Sequence, residues 1–174
     1  REQLKREMSV VPQQIALYQK LSCKENLLYF GKLHQIPTSV LLPKINVLLE
    51  RFGLAAHAHK SIKSFSGGMK RRANIIASLL HDPCLLILDE PTAGVDVQSR
   101  SMILQFLKEY NQAGNSVIYT SHLLEEAEHI CDEVLIIDAG KKILQGNPKE
   151  LIKVHQAYNL EDLFLSLTGK AVRD

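Results

Sequence analysis

At 174 residues, 45% hydrophobic and 23% charged, the chain has the composition of an ordinary globular domain with enough apolar mass for a core, which excludes a disordered tail. A net charge of +2 excludes a bulk electrostatic argument for nucleic acid or an acidic membrane surface, and the one tight basic cluster, Lys70, Arg71 and Arg72, reads as a solvated helix start as well as it reads as a binding patch. Cys23, Cys84 and Cys131 lie far apart with no C-x-x-C, which points to a reducing compartment and away from zinc; Cys84, in an apolar run, is expected to be buried.

In chain order, the charged run REQLKREM is helix-like and starts without a methionine, so the natural start of the protein is expected upstream. MSVV follows as a short strand, ended by Pro12 and the loop QQIALYQ. Ser22 and Glu25 form a capping-box pattern that predicts a helix through NLLYFGKLHQ, stopped by Pro37. A second helical pattern, LLPKINVLLERF, should end at Gly53, where a left-handed residue costs little. In SFSGGMKRR, a serine and two glycines open an apolar helix, and such a start offers unpaired N–H groups and partial positive charge to an anion.

Beyond Leu80 the texture changes. CLLILD is a continuous apolar run, as expected of a central strand buried on both faces. The helix QSRSMILQFLKEYNQAG, strand SVIYTS, helix LLEEAEHIC and strand EVLIID complete a βαβαβ alternation that predicts a parallel sheet flanked by helices. GKKILQG reads as a hairpin-like piece, and NPKELI and NLEDLFLSL as closing helices; no run approaches the roughly 18 apolar residues of a membrane span.

Open parallel sheets bind ligands at the carboxyl ends of their strands. Asp89 and Glu90 stand at that end of CLLILD, and Ser121 and His122 at that end of SVIYTS. An acidic pair there can be a solvated turn, but beside a second polar strand end an aspartate can hold Mg²⁺ through its water shell and a glutamate can polarise an attacking water. His122 then becomes a candidate for orienting a terminal phosphate.

Taken in order, VPQQ, SFSGGMKRR, CLLILDEP, TAGVD and YTSH resemble the ATP-binding cassette (ABC) ATPases over nearly the entire chain. The resemblance implies an α/β fold, a parallel-sheet P-loop NTPase core that is incomplete here, with an α-helical subdomain inserted. Residues 18–80 would be the helical subdomain with the signature motif, 81–150 the RecA-like part with Walker B, D-loop and H-loop, and 151–174 a C-terminal helical extension. Gln13 then resembles the Q-loop glutamine that touches metal or water and couples to the membrane partner; Gln14 fits less well, because the family places glutamine straight after the proline. Ser66, Gly67 and Gly68 resemble the signature that caps the γ-phosphate of ATP held by the opposite subunit. Asp89 resembles the Walker B aspartate, Glu90 the catalytic glutamate, Asp96 the D-loop aspartate and His122 the switch histidine. ATP and Mg²⁺ are the implied cofactors. The implied partners are a transmembrane permease subunit and a second ATP-binding subunit in a head-to-tail dimer, at the cytoplasmic face of the membrane, with no nucleic acid.

Phe65, Lys70 and Val95 depart from the commonest family pattern without removing a catalytic group, and the chain is most similar to the branch that powers daunorubicin-type drug and polysaccharide exporters. Tyr18, Tyr29 and Phe30 are available to dock on a permease, or to fill a core. A phosphate loop demands G-x-x-x-x-G-K-[ST], and Gly31-Lys32, Gly140-Lys141 and Gly169-Lys170 all fail it. The resemblance places that loop, with the adenine-stacking aromatic residue, ahead of Gln13 and before Arg1. Two expectations follow: a piece of a working ATPase, inactive alone, or a naturally shortened relative that acts as a non-hydrolysing binding or regulatory module. Asp89, Glu90 and His122 together favour the first.

Overall fold

The structure, a computed structural model, describes residues 7–169, so most of the helix-like REQLKREM run lies outside the described residues. The chain divides into two compact units, one ending at Thr120 and the other beginning at Ser121.

In the first unit, strand β1 (Met8–Val11) leads through a loop to helix α1 (Cys23–Leu33). The capping box forms as expected: Glu25 N–H donates to Ser22 Oγ at 3.2 Å, and Ser22 N–H donates to Glu25 Oε2 at 2.7 Å. The helix stops short of the expected HQ, since Gln35 takes a left-handed φ of 60°. Helix α2 (Thr38–Arg51) begins earlier than the apolar pattern suggests and runs through Pro43; Gly53 ends it at φ 62°, as expected. Two short 3-10 turns lead to α3 (Gly67–Leu79), then β2 (Leu85–Asp89), α4 (Val97–Gln112) and β3 (Ser116–Thr120).

The helices share one core, in which Leu27, Leu41, Ile45, Phe52, Leu54, Ile75 and Ile76 are wholly buried, continuous with Val11, Leu86 and Leu88 of the sheet. Among the described residues the sheet has the order β1-β2-β3, all parallel, with Val10 opposite Ile87, Ile87 opposite Ile118, and Asp89 opposite Thr120. Among the described residues CLLILD is covered on one face, where burial on both was expected. Leu86 and Leu88 are buried, Leu85 and Ile87 only partly, and the Ile87 face carries Val10 and Ile118 at 56% and 53% exposure. Within this unit the helical core packs on the Leu86 face alone. Cys84 is a correction: it is exposed, because it precedes the strand and meets backbone there, its Sγ lying 3.2 Å from the Glu7 carbonyl oxygen.

The second unit comprises α5 (Leu124–Ile130), β4 (Val134–Asp138), β5 (Lys141–Gly146), α6 (Pro148–Val154) and α7 (Leu160–Thr168). EVLIID was expected to continue the parallel sheet; β4 instead pairs antiparallel with β5. Their connection, Ala139 and Gly140, has φ of 47° and 73°, the two left-handed residues of a tight hairpin, and this favours pairing with the nearest strand in sequence. Val134, Leu160 and Leu163 are the buried centre of this unit. No helix among the described residues is long and apolar enough to cross a membrane.

Candidate functional site

The carboxyl end of β2 carries the two acids. Asp89 is exposed there, and the Thr120 hydroxyl, opposite it on β3, donates to its Oδ1 at 2.6 Å. Glu90 leaves the strand at φ 45°, a left-handed conformation that costs a non-glycine residue of order 1 kcal/mol or more and recurs at functional sites. Its N–H lies 3.2 Å from both the Thr120 carbonyl oxygen and the Thr120 hydroxyl, so the turn is fixed by the neighbouring strand end. That turn brings its carboxylate to the loop after β1, where Gln13 Nε2 donates to Glu90 Oε2 at 2.7 Å. Two residues 77 positions apart are thus joined. Exposed carboxylate and amide oxygens suit a hard cation that keeps part of its water shell, so Asp89 and Gln13 fit Mg²⁺.

The SFSGG segment forms a capped helix start. Ser66 is the N-cap of α3, its Oγ accepting from Met69 N–H at 3.2 Å, and Ser66 and Gly67 are exposed. Gly68 is buried, and a Cβ there would collide with Ser99 and the Asp96 carboxylate. Asp96 in turn caps α4, accepting from Ser99 N–H and from the Ser99 hydroxyl, each at 2.8 Å. Those two bonds, the backbone one first, hold its carboxyl below the usual aspartate range. Gly68 is therefore required by packing, since any side chain there would meet Ser99 and Asp96. His122 opens the second unit, between Ser121, whose Oγ accepts from Leu123 N–H at 2.9 Å, and α5.

The family profile described as ABC transporter matches residues 1–93, more than half of the chain. The chain belongs to the ABC transporter ATP-binding family. This ABC chain is 47% identical over 147 residues to the linearmycin resistance ATP-binding protein LnrL of Bacillus subtilis (strain 168), an alignment spanning 84% of the chain and 47% of that protein. It is 40% identical over 150 residues to the Nod factor export ATP-binding protein I of Cupriavidus metallidurans, spanning 86% of the chain and 50% of the relative. The ABC chain thus spans about half the length of these curated relatives. Among solved structures, an ATP-binding subunit of an ABC transporter superposes with a TM-score of 0.82 at 25% identity, covering 94% of this chain and 69% of that one.

The geometry corrects the basic cluster for two of its three members, since Arg71 and Arg72 are committed to backbone carbonyls. Arg71 is 6% exposed and donates through Nη1 to the Pro12 carbonyl at 2.9 Å and through Nη2 to the Gln13 carbonyl at 2.7 Å. Burial pulls its guanidinium below the ordinary arginine value, while the charges of Asp89 and Glu90 pull the other way. Arg72 donates through Nη1 to the Phe52 carbonyl at 2.6 Å, tying α3 to the end of α2. Helical spacing could have found Arg71: Gly68, Arg71, Ile75 and Leu79 recur at three- and four-residue intervals along the buried stripe of α3. Of the three aromatics, Tyr18 and Tyr29 are exposed, 50% and 40%, and stack edge to face at 5.0 Å, with Phe30 against Tyr29.

Proposed function

We propose that this chain is part of the ATP-binding and hydrolysing subunit of an ABC exporter. The observation that carries the reading is the contact of the Gln13 amide with the Glu90 carboxylate beside Asp89, three polar groups converging at one end of a parallel sheet. In this reading Glu90 takes a proton from the water that attacks the γ-phosphorus, as the bond to the departing ADP oxygen breaks. Gln13 holds the Glu90 carboxylate in place and senses the site's occupancy. Asp89 and Gln13 would hold Mg²⁺, which when bound would supply charge that offsets the phosphate oxygens. The resemblance to ABC ATPases assigns to His122 the orienting of the terminal phosphate.

Ser66, Gly67 and Gly68 face the nucleotide of a second ATP-binding subunit in a head-to-tail dimer, and Asp96 lies at the same junction. ATP closes the pair and hydrolysis releases it; a transmembrane permease, docked near Tyr18 and Tyr29 on the cytoplasmic face of the membrane, follows that cycle. Export as the direction is supported by the names of the relatives, one a resistance protein and the other an exporter component.

Glu90→Gln in the complete subunit tests the reading. The substitution keeps the shape and the hydrogen-bonding capacity but removes the base, so ATP binding should persist while turnover falls by about 10² to 10⁴. Residual hydrolysis above about a tenth of wild type would refute the assignment.

A further inference from the structure

Helix α3 grips the Gln13 loop with two side chains. Arg71 holds the carbonyls of Pro12 and Gln13, and Asn74, three residues on along the helix, accepts from Ala16 N–H through Oδ1 at 3.3 Å. Both side chains are buried, 6% and 5% exposed, so these bonds are sheltered from water. A guanidinium offers a planar fork of donors in fixed geometry, and here two of its nitrogens fix two successive carbonyls, a grip that a lysine's single ammonium cannot reproduce. The same Gln13 whose carbonyl is held donates its side-chain amide to Glu90, and the same helix has Ser66 at its first turn.

From this we infer that Arg71 is a positioning residue: it fixes the backbone from which Gln13 reaches Glu90, and so makes the SFSGG helix and the Gln13 loop move as one piece. The inference rests on the ATPase reading for its catalytic consequence, though not for the grip itself. A shift of α3 at its N-terminus, where a second subunit would press, is transmitted through Arg71 to Gln13 and on to the carboxylate. Neither Glu90 nor any phosphate-binding backbone needs to be touched for that transmission. Its loss should lower kcat and leave the KM for ATP nearly unchanged.

The experiment compares Arg71→Met, Gln13→Ala and the double variant in the complete subunit, with Arg71→Lys as the milder change should Arg71→Met fold poorly. Steady-state ATP hydrolysis is measured beside hydrogen exchange of the segment 12–17. Arg71→Met should cut kcat about ten- to a hundredfold with KM within about twofold, as a small misplacement near reacting groups does. In the Gln13→Ala background it should cut no further, since both changes act through one path. Exchange at 12–17 should rise while the rest of the protein stays protected, and Arg71→Lys should fall between the wild type and Arg71→Met on both readouts. Equal losses of kcat in the two backgrounds, or unchanged exchange at 12–17, would overturn the inference. If Gln13→Ala and Glu90→Gln both hydrolyse ATP like the wild type, the ATPase reading fails instead, and the exchange measurement still decides whether Arg71 holds the loop.

Discussion

The helical stretch from α1 to α3 and the three-stranded sheet bury their apolar residues in different ways. The helices bury theirs completely: Leu27, Leu41, Ile45, Phe52 and Leu54 have no exposed surface at all. The sheet buries Val11, Leu86 and Leu88 on one face and shows Val10 and Ile118 on the other, at 56% and 53% exposure. The helices meet one another within residues 23–79 and take further cover from α4, whose Phe106 ring lies 4.8 Å from that of Phe52, whereas each strand depends on residues far away in the chain. In the 174-residue chain, stability should therefore be concentrated around the helical core, and the sheet should tolerate change on its Ile87 face.

The largest expected effect tests that contrast directly. Leu41→Ala should cost about 2 to 5 kcal/mol, because it opens a cavity in a closed core. In the same 174-residue chain, Ile118→Ala should cost about 0.5 kcal/mol or less, as an exposed position does. Urea unfolding midpoints of the two variants would decide it, and similar losses would mean that the helical core is no more self-sufficient than the sheet.

A smaller effect sharpens the picture of how α1 meets α2. A Cβ on Gly31 would run into the Leu41 side chain, so Gly31→Ala should destabilise by about 1 to 3 kcal/mol. In a Leu41→Ala background the obstacle is gone and alanine is the better helix former, so the same change should become neutral or stabilising, by up to about 1 kcal/mol. A penalty of the same size in both backgrounds would place its origin elsewhere. The smallest effect belongs to the start of α1. Ser22→Ala removes the oxygen that accepts from Glu25 N–H and should cost about 1 kcal/mol in thermal or chemical unfolding; no loss would mean that solvent caps the helix as well as the serine does.

What was legible in the sequence follows the same division. The capping box at Ser22 and Glu25 and the stop at Gly53 depend on residues a few positions apart and form as expected, whereas GKKILQG, expected as a hairpin-like piece, is one strand of a hairpin with β4. The apolar run EVLIID announced a strand but could not say which neighbour it would choose, because hydrophobicity carries no information about pairing partner. The charge of Arg71 drew attention away from its place on the inward stripe of α3, and its targets, Pro12 and Gln13, lie nearly sixty residues back. The meeting of Gln13 with Glu90 has no local signal of any kind; only the resemblance to ABC ATPases named both residues, and the geometry adds the bond between them.

The left-handed backbone of Glu90 bears on how this protein would respond to improvement in the laboratory. Glycine adopts that conformation without strain and asparagine tolerates it well, so a search for heat-resistant variants would be drawn to position 90. The variants recovered would keep their fold and gain in melting temperature, but would lack the carboxylate that the strained turn presents to Gln13. A screen that scores folding alone would thus select sturdier molecules that no longer turn over, and turnover has to be scored in the same round.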